Sequence, residues 1–173
     1  IAGLTLTSCS DFLDKEPKNA LPVDGSITSA KDLQYAINGV AYPLTVERMS
    51  YASEFGIYAD LLTNNYKIVK DNGQSTSITY YTITKSDVFS ETPYYYFYKS
   101  IAEANKALSE AEKLEQTDEI KNLEGQLYAW RGLLHFDIAR MFAHIPSTVD
   151  ATAANSGIVL ATQVFEPEYI GNR

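Results

Sequence analysis

The sequence predicts a mainly α-helical protein built from helical hairpins that are joined by long irregular loops. Two long stretches in the second half of the chain repeat apolar residues at steps of three and four, and a short linker joins them. The later stretch is apolar on more than one side, as expected of a helix packed between neighbours in a repeat stack. One hairpin of this kind leaves apolar surface uncovered, so we expect the chain to form the N-terminal fragment of an α-α superhelix.

The N-terminal residues predict a lipid anchor. Residues 1–8 carry no charge and end in the letters LTS, directly before Cys9, the only cysteine of the chain. This pattern resembles the end of a bacterial lipoprotein signal, in which the cysteine is lipidated and becomes the new N-terminus. The alternative is a small buried residue, as most single cysteines are. We expect residues 9–28, rich in polar residues, to be a leader before a domain spanning residues 29–173.

The first part of that domain predicts two helices and a long loop. A first helix begins at Ser29, whose hydroxyl caps it while Asp32 lies in the first turn, and it ends at Pro43. Its apolar face comprises Leu33, Ile37 and Val40. A second, less regular helix is predicted around residues 47–63. Residues 64–93 lose helical periodicity and carry turn signals, which predicts an ordered loop with little regular structure.

The second part predicts an antiparallel helix pair. The third helix shows an apolar stripe of Phe97, Ile101, Ala104, Leu108 and Ala111. Charges alternate in sign on its other side, at Lys99, Glu103, Lys106, Glu110 and Lys113, which is typical of a solvated face. The fourth helix is capped by Thr117, runs to about Ile145 and is closed by Pro146. A second apolar stripe of Leu133, Phe136 and Phe142 predicts burial on two sides, with Trp130 as a buried anchor.

Composition and motifs exclude several classes of function. The net charge of −8 argues against a nucleic-acid partner, because phosphate binding requires clustered Lys and Arg. The two histidines are nine residues apart, outside the spacing of a zinc-protease motif, and the chain has no glycine-rich phosphate loop and no nucleophile elbow. A pair of carboxylates for glycoside hydrolysis stays open, since such residues meet only in space. We therefore expect no enzyme activity, no cofactor and no metal.

Four stretches together resemble the N-terminal region of the SusD/RagB family of outer-membrane nutrient-binding lipoproteins. They are SCSDFLDKEP at residues 8–17, YKSIAEANKAL at 98–108, GQLYAWRGLLHFDIARMFAHIP at 125–146 and NSGIVLA at 155–161. In the last of these, Val159 stands where the family has a proline. The four stretches follow the family's order and spacing, and they cover about the first third of a full-length member.

The resemblance implies a fold and a biological setting. Members of the family carry tetratricopeptide-like helix pairs with an irregular C-terminal part packed across them. They are anchored by lipid on the outer face of the outer membrane in Bacteroidetes, which implies that Cys9 is the attachment point. They dock as a lid on a SusC-like TonB-dependent transporter and capture glycans, or in some members peptides. The implied partners are therefore this transporter, an oligosaccharide or polysaccharide, and the outer membrane.

Tyrosine provides the candidate ligand-binding residues. The chain has 13 tyrosines, and six of them lie between Tyr80 and Tyr98. Sugars present flat apolar faces, and tyrosines on a loop can stack on them at low entropic cost. The candidates flank the predicted loop: Tyr80, Tyr81, Tyr94, Tyr95 and Tyr96. Consecutive residues cannot all face inward, so at least one of the last three is expected to be exposed, while Phe97 and Tyr98 belong to the core.

Other polar residues have structural explanations. Arg131 and His135 share a helix face, and packing against a neighbouring helix explains them better than catalysis. Asp137 and Arg140 are expected to form an ion pair within the helix, and Asn105 is expected to bond to nearby backbone. Three functions therefore stay open: a non-enzymatic glycan- or peptide-binding lipoprotein, a helical scaffold for other proteins at the membrane, and a glycosidase.

Overall fold

The computed structural model is α-helical, and the part of the chain that it describes contains no strand. Its six helices are α1 (Ala30–Ala41), α2 (Pro43–Val46), α3 (Glu54–Leu62), α4 (Thr76–Thr79), α5 (Val88–Ala111) and α6 (Asp118–Phe142). The described residues are 25–46, 51, 53–63, 65–67, 69, 73, 75–145, 147–150, 152 and 156–164. The predicted mainly α fold is confirmed. Cys9 and the leader up to residue 24 lie outside the described residues.

Helix α1 begins where the sequence predicts. The backbone N–H of Asp32 donates to Ser29 Oγ at 3.2 Å, and that hydroxyl donates to the Asp32 carboxylate at 2.8 Å. The hydrogen bond from Ser29 also lowers the pKa of the Asp32 carboxyl. All three predicted apolar residues are buried: Leu33, Ile37 and Val40. Pro43 ends the run as expected, but it also opens α2, because proline is well suited to the first position of a helix.

The prediction of a loop over residues 64–93 is wrong in two places. Helix α4 interrupts it, and α5 already begins at Val88. Asp87 caps α5 by accepting a hydrogen bond from the Phe89 N–H at 3.0 Å. Pro93 suggested a loop, yet it is buried in the second turn of the helix, where it removes only one backbone hydrogen bond.

Helices α5 and α6 form the predicted antiparallel hairpin, and α1 packs against both. The first core cluster joins α1 to the C-terminal half of α5 and the N-terminal half of α6. The second joins the N-terminal half of α5 to the C-terminal half of α6, with Phe97 and Leu134 at its centre. A smaller cluster of Leu61, Ile78 and Phe89 fixes α3 and α4 to the start of α5.

Two expectations about α6 are corrected among the described residues. Leu133 and Phe136 of the second apolar stripe are exposed, so α6 is buried on one side only. Trp130 is only partly buried; its indole packs against both core clusters and bridges them. The physical reason is that the described neighbours of this helix, which are α1, α5, residue 51 with α3, and the C-terminal residues, leave Leu133 and Phe136 uncovered.

The charged face of α5 is less uniform than predicted. Lys99 and Glu103 are exposed, but Glu110 is buried. Its carboxylate accepts from Lys113 Nζ at 2.6 Å and from the Gly25 N–H at 3.3 Å. The hydrogen bond from Lys113 lowers the pKa of the Glu110 carboxyl. This contact fixes the start of the described chain to the C-terminal end of α5.

Candidate functional site

A groove of about 1040 Å³ lies beside the N-terminal half of α5. Four tyrosines of that helix line it, and Phe142 at the end of α6 lines it as well. We call it the tyrosine groove, after Tyr94, Tyr95, Tyr96 and Tyr98. An open groove with several aromatic walls is a reasonable place for a small ligand.

The structure brings together three of the five tyrosines that the sequence singles out. Tyr94, Tyr95 and Tyr96 all line the groove, although they lie on a helix and not on a loop. Successive helical residues point about 100° apart, so their rings spread over one broad side of α5. Tyr94 and Tyr95 are exposed, the latter by 59%, while Tyr96 is half-buried. The expectation that at least one of the three is exposed is confirmed.

Contacts between aromatic rings hold the groove in shape. The ring of Tyr94 lies 4.7 Å from that of Tyr98 and meets Phe142 edge-on at 5.3 Å. Tyr95 and Tyr96 meet edge-to-face at 5.1 Å. Such pairs add about 0.5–1.5 kcal/mol each beyond the burial of their area. The rings are therefore positioned before any ligand arrives.

Polar groups surround the rings. Lys85, Glu91 and Lys99 bring charges of both signs, and Ser90 and Thr92 bring hydroxyls. The Nζ of Lys99 lies 6.0 Å from the centre of the Tyr96 ring. The groove thus combines apolar faces with hydrogen-bond donors and acceptors, which suits a ligand that has both apolar faces and hydroxyl groups.

Tyr80 and Tyr81 do not line this groove. Both are exposed in the turn that follows α4. Tyr81 has a positive φ of 55°, and its hydroxyl donates to the carbonyl of Leu62 at the end of α3. That bond orients the Tyr81 ring toward the α3 end. The sequence placed this pair and the run of three tyrosines on either side of one loop, whereas in the structure the run lies on α5 and the pair lies in the turn after α4.

The wall of the groove is held from behind by an extended segment, residues 156–164, which we call the C-terminal segment. The Tyr98 hydroxyl donates to the carbonyl of Val159 at 2.8 Å. Because the Tyr94 ring packs against the Tyr98 ring, this bond also fixes the position of that wall of the groove. The resemblance expected a proline in place of Val159. The contact uses only the backbone carbonyl of residue 159, which a proline would also supply.

Asn105 and Arg131 bind the same segment through its backbone. Asn105 Nδ2 donates to the carbonyls of Ala161 and Gln163 at 3.1 and 3.0 Å. Arg131 donates to Asn105 Oδ1 at 2.9 Å and to the carbonyl of Thr162 at 3.0 Å. The expectation that Asn105 bonds to backbone is confirmed. The bond from Arg131 to Asn105 of α5 confirms the expected packing against a neighbouring helix. Its bond to Thr162 was missed, because that residue lies 31 positions away and no local pattern indicates it.

His135 completes this set of contacts. Its Nε2 accepts from the Ala161 N–H at 3.0 Å, so the proton of the neutral ring is on Nδ1, which donates to the Arg131 carbonyl at 2.8 Å. Burial, together with the nearby Arg131 guanidinium, lowers the pKa of the His135 imidazole. Both ring nitrogens are used in holding the chain together, so His135 is a structural residue. The expectation of packing against a neighbouring helix is confirmed, since the His135 ring meets the Tyr98 ring of α5 edge-on at 6.5 Å; the bond to the C-terminal segment adds a contact that the sequence did not indicate.

Comparison with protein families decides the identity. Residues 11–164 match the SusD-like family model described as starch-binding, associating with outer membrane. That match spans most of the chain. The chain belongs to the SusD-like family. No curated protein and no solved structure matches it.

A second polar cluster of this SusD-like chain lies under α3. Asp137 is buried; it forms the predicted ion pair with Arg140, whose Nε donates at 2.9 Å, and it accepts from the Tyr51 hydroxyl. Burial, with the hydrogen bond to Asp137, raises the pKa of the Tyr51 phenol. Both carboxylate oxygens of Asp137 are paired, one with Arg140 and the other with the Tyr51 hydroxyl, which indicates a role in holding residue 51 against α6.

Among the described residues of this SusD-like chain, no group of three or more His, Cys, Asp or Glu side chains could hold a metal ion. No helix in the same part of the chain is long and apolar enough to span a membrane. The tyrosine groove is therefore the feature on which a functional proposal rests.

Proposed function

We propose that this SusD-like chain binds neutral oligosaccharides of the starch type in the tyrosine groove and does not cleave them. The observation that carries the proposal is the clustering of Tyr94, Tyr95 and Tyr96 in one open groove with charged and hydroxyl side chains. Aromatic rings stack on the apolar faces of pyranose rings, and the polar groups around them bind hydroxyls. The family description supports starch as the first ligand to test.

The proposal extends to the cellular setting. The chain acts on the outer face of the outer membrane, attached through a lipid on Cys9, and passes its ligand to a SusC-like TonB-dependent transporter. The family's association with the outer membrane supports this location, and the LTSC pattern supports the lipid. Capture of a nutrient for a transporter requires binding and release, and a groove walled by preformed aromatic rings serves both.

Titration calorimetry with maltoheptaose tests the ligand and the site. We expect Tyr95→Ala to weaken binding about tenfold, equivalent to about 1.4 kcal/mol, because the most exposed ring of the groove is lost. Tyr128→Ala is the matched control: it removes an exposed tyrosine of α6 that does not line the groove, and binding should be unchanged.

Two results would contradict the proposal. Equal affinity of the wild type and Tyr95→Ala for maltoheptaose would mean that the ligand binds outside the tyrosine groove. Release of reducing sugar from maltoheptaose by the purified wild type would make the protein a glycosidase. Short peptides serve as a second ligand panel, since a peptide that binds where maltoheptaose does not would favour the peptide-binding alternative.

A further inference from the structure

A second groove, of about 470 Å³, lies between α1 and α5. Its wall contains Tyr35 of α1 and Tyr42, the residue directly after that helix, which are 60% and 64% exposed. They are seven residues apart, so they lie on the same face of α1 about two turns from each other. We call this the α1 groove. Neither tyrosine belongs to a sequence motif, and neither is part of the hydrophobic core.

The two grooves meet at Lys99, which lines both. Helices α1 and α5 run in opposite directions, since Gly25, just before α1, contacts Glu110 near the end of α5. The end of α1, with Tyr42, therefore lies toward Lys99 and the tyrosine groove. The α1 groove thus continues the tyrosine groove along the length of α5.

One face of α5 forms the floor of both grooves. Its residues recur at steps of four and three, and each lines one groove or both: Glu91, Tyr95, Lys99, Glu103 and Lys106. The fifteen helical steps from Glu91 to Lys106 measure about 22 Å. The face with alternating charge, which the sequence suggested is merely solvated, is thus the base of an elongated depression.

We infer that the two grooves form one trough that binds a linear, uncharged oligosaccharide, with Tyr35 and Tyr42 holding the sugars beyond the tyrosine groove. This inference rests on the proposed function and deepens it. Three cationic and three anionic side chains line the trough: Lys85, Lys99, Lys106, Asp32, Glu91 and Glu103. Their charges balance, so the trough favours a neutral chain over an acidic polysaccharide or a charged peptide.

The experiment compares two ligand lengths on the full chain. Maltotriose fits within the tyrosine groove, while maltoheptaose reaches the α1 groove. We expect the wild type to bind maltoheptaose at least tenfold more tightly than maltotriose. The double variant Tyr35→Ala/Tyr42→Ala should lose most of that tenfold gain and keep the wild-type affinity for maltotriose. Tyr128→Ala, again the matched control, should keep both affinities.

The outcomes separate this inference from the proposed function. A wild type that binds both lengths equally overturns the trough, as does a double variant that keeps the wild-type gain with length. In either case, weaker binding of both ligands by Tyr95→Ala would still support the tyrosine groove as the binding site. Absence of binding to either ligand overturns the proposed function, and the trough with it. Glu103→Ala, an exposed change in the α1 groove, gives a second variant that should weaken maltoheptaose only.

Discussion

His135 holds the C-terminal segment to α6 with both of its ring nitrogens. The Ala161 N–H needs a lone pair on Nε2, and the Arg131 carbonyl receives the proton of Nδ1. A protonated imidazole carries hydrogens on both nitrogens and cannot accept from Ala161. The contact therefore exists only in the neutral form, in agreement with the lowered pKa of His135.

This arrangement predicts how stability depends on pH. The folded state lowers the pKa of His135 below the value of about 6.5 in the unfolded chain, so the unfolded state takes up the proton first. The contribution of His135 is complete above about pH 6.5 and is lost as the pH falls below that value. We expect the melting temperature of the wild type to decrease between about pH 7 and pH 5.

The two histidines provide a matched pair for calorimetry. His135→Gln should lower the melting temperature at neutral pH and show a flatter dependence on pH in this window, because glutamine does not titrate. His144→Gln should behave like the wild type, since the His144 side chain is exposed. Parallel pH curves for the wild type and His135→Gln would contradict the assignment.

At the scale of the helix, α6 has a buried and an open side. Leu134 is fully buried in the second core cluster, while its neighbour Leu133 is 44% exposed. The two residues are both leucines and are adjacent on the same helix. They differ only in direction by about 100°. Truncating each leucine in turn therefore measures how much the interface between α5 and α6 contributes to the free energy of unfolding.

We predict different costs for the two truncations. Leu134→Ala should lower the free energy of unfolding by about 2–5 kcal/mol, because it leaves a cavity between α5 and α6. Leu133→Ala should cost less than about 1 kcal/mol, since its side chain is already in contact with solvent. Urea denaturation followed by circular dichroism measures both. A larger loss at Leu133 would mean that the open side of α6 is covered in solution.

At the scale of the whole molecule, the first described residue and the tyrosine groove lie at different ends of α5. Gly25, the first described residue, contacts Glu110, whereas the groove surrounds residues 90–99. Gly25 lies sixteen steps along the chain from Cys9, a reach of at most about 55 Å. A lipid on Cys9 would therefore hold Gly25 within about this distance of the membrane.

The anchor gives a direct cellular prediction. Cys9→Ala removes the thiol that would carry the lipid, so the expressed protein should move from the outer-membrane fraction to the soluble fraction. Ser10→Ala is the matched control, because it changes the next residue without removing the thiol. Fractionation followed by immunoblotting measures the result. A Cys9→Ala protein that stays with the membrane would contradict lipid attachment at this position.

The sequence determined the features that depend on nearby residues. The Ser29 and Thr117 caps, the apolar stripe of α5 and the hairpin all follow from spacing, and the structure confirms them. The resemblance of four stretches suggested the family, and the match over residues 11–164 confirms it. The clustering of tyrosines between positions 80 and 98 named Tyr94, Tyr95 and Tyr96 as candidates, although it placed them beside a loop and not on α5.

The tertiary structure decided everything that depends on distant partners. It showed that Pro93 fits inside α5, that Tyr80 and Tyr81 lie away from the groove, and that Trp130 is only partly buried. The contacts of Arg131 and His135 with the C-terminal segment also appeared only there. Periodicity reports which face of a helix is apolar. Which neighbour covers that face, and which tyrosines share a groove, depends on packing between residues far apart in the chain.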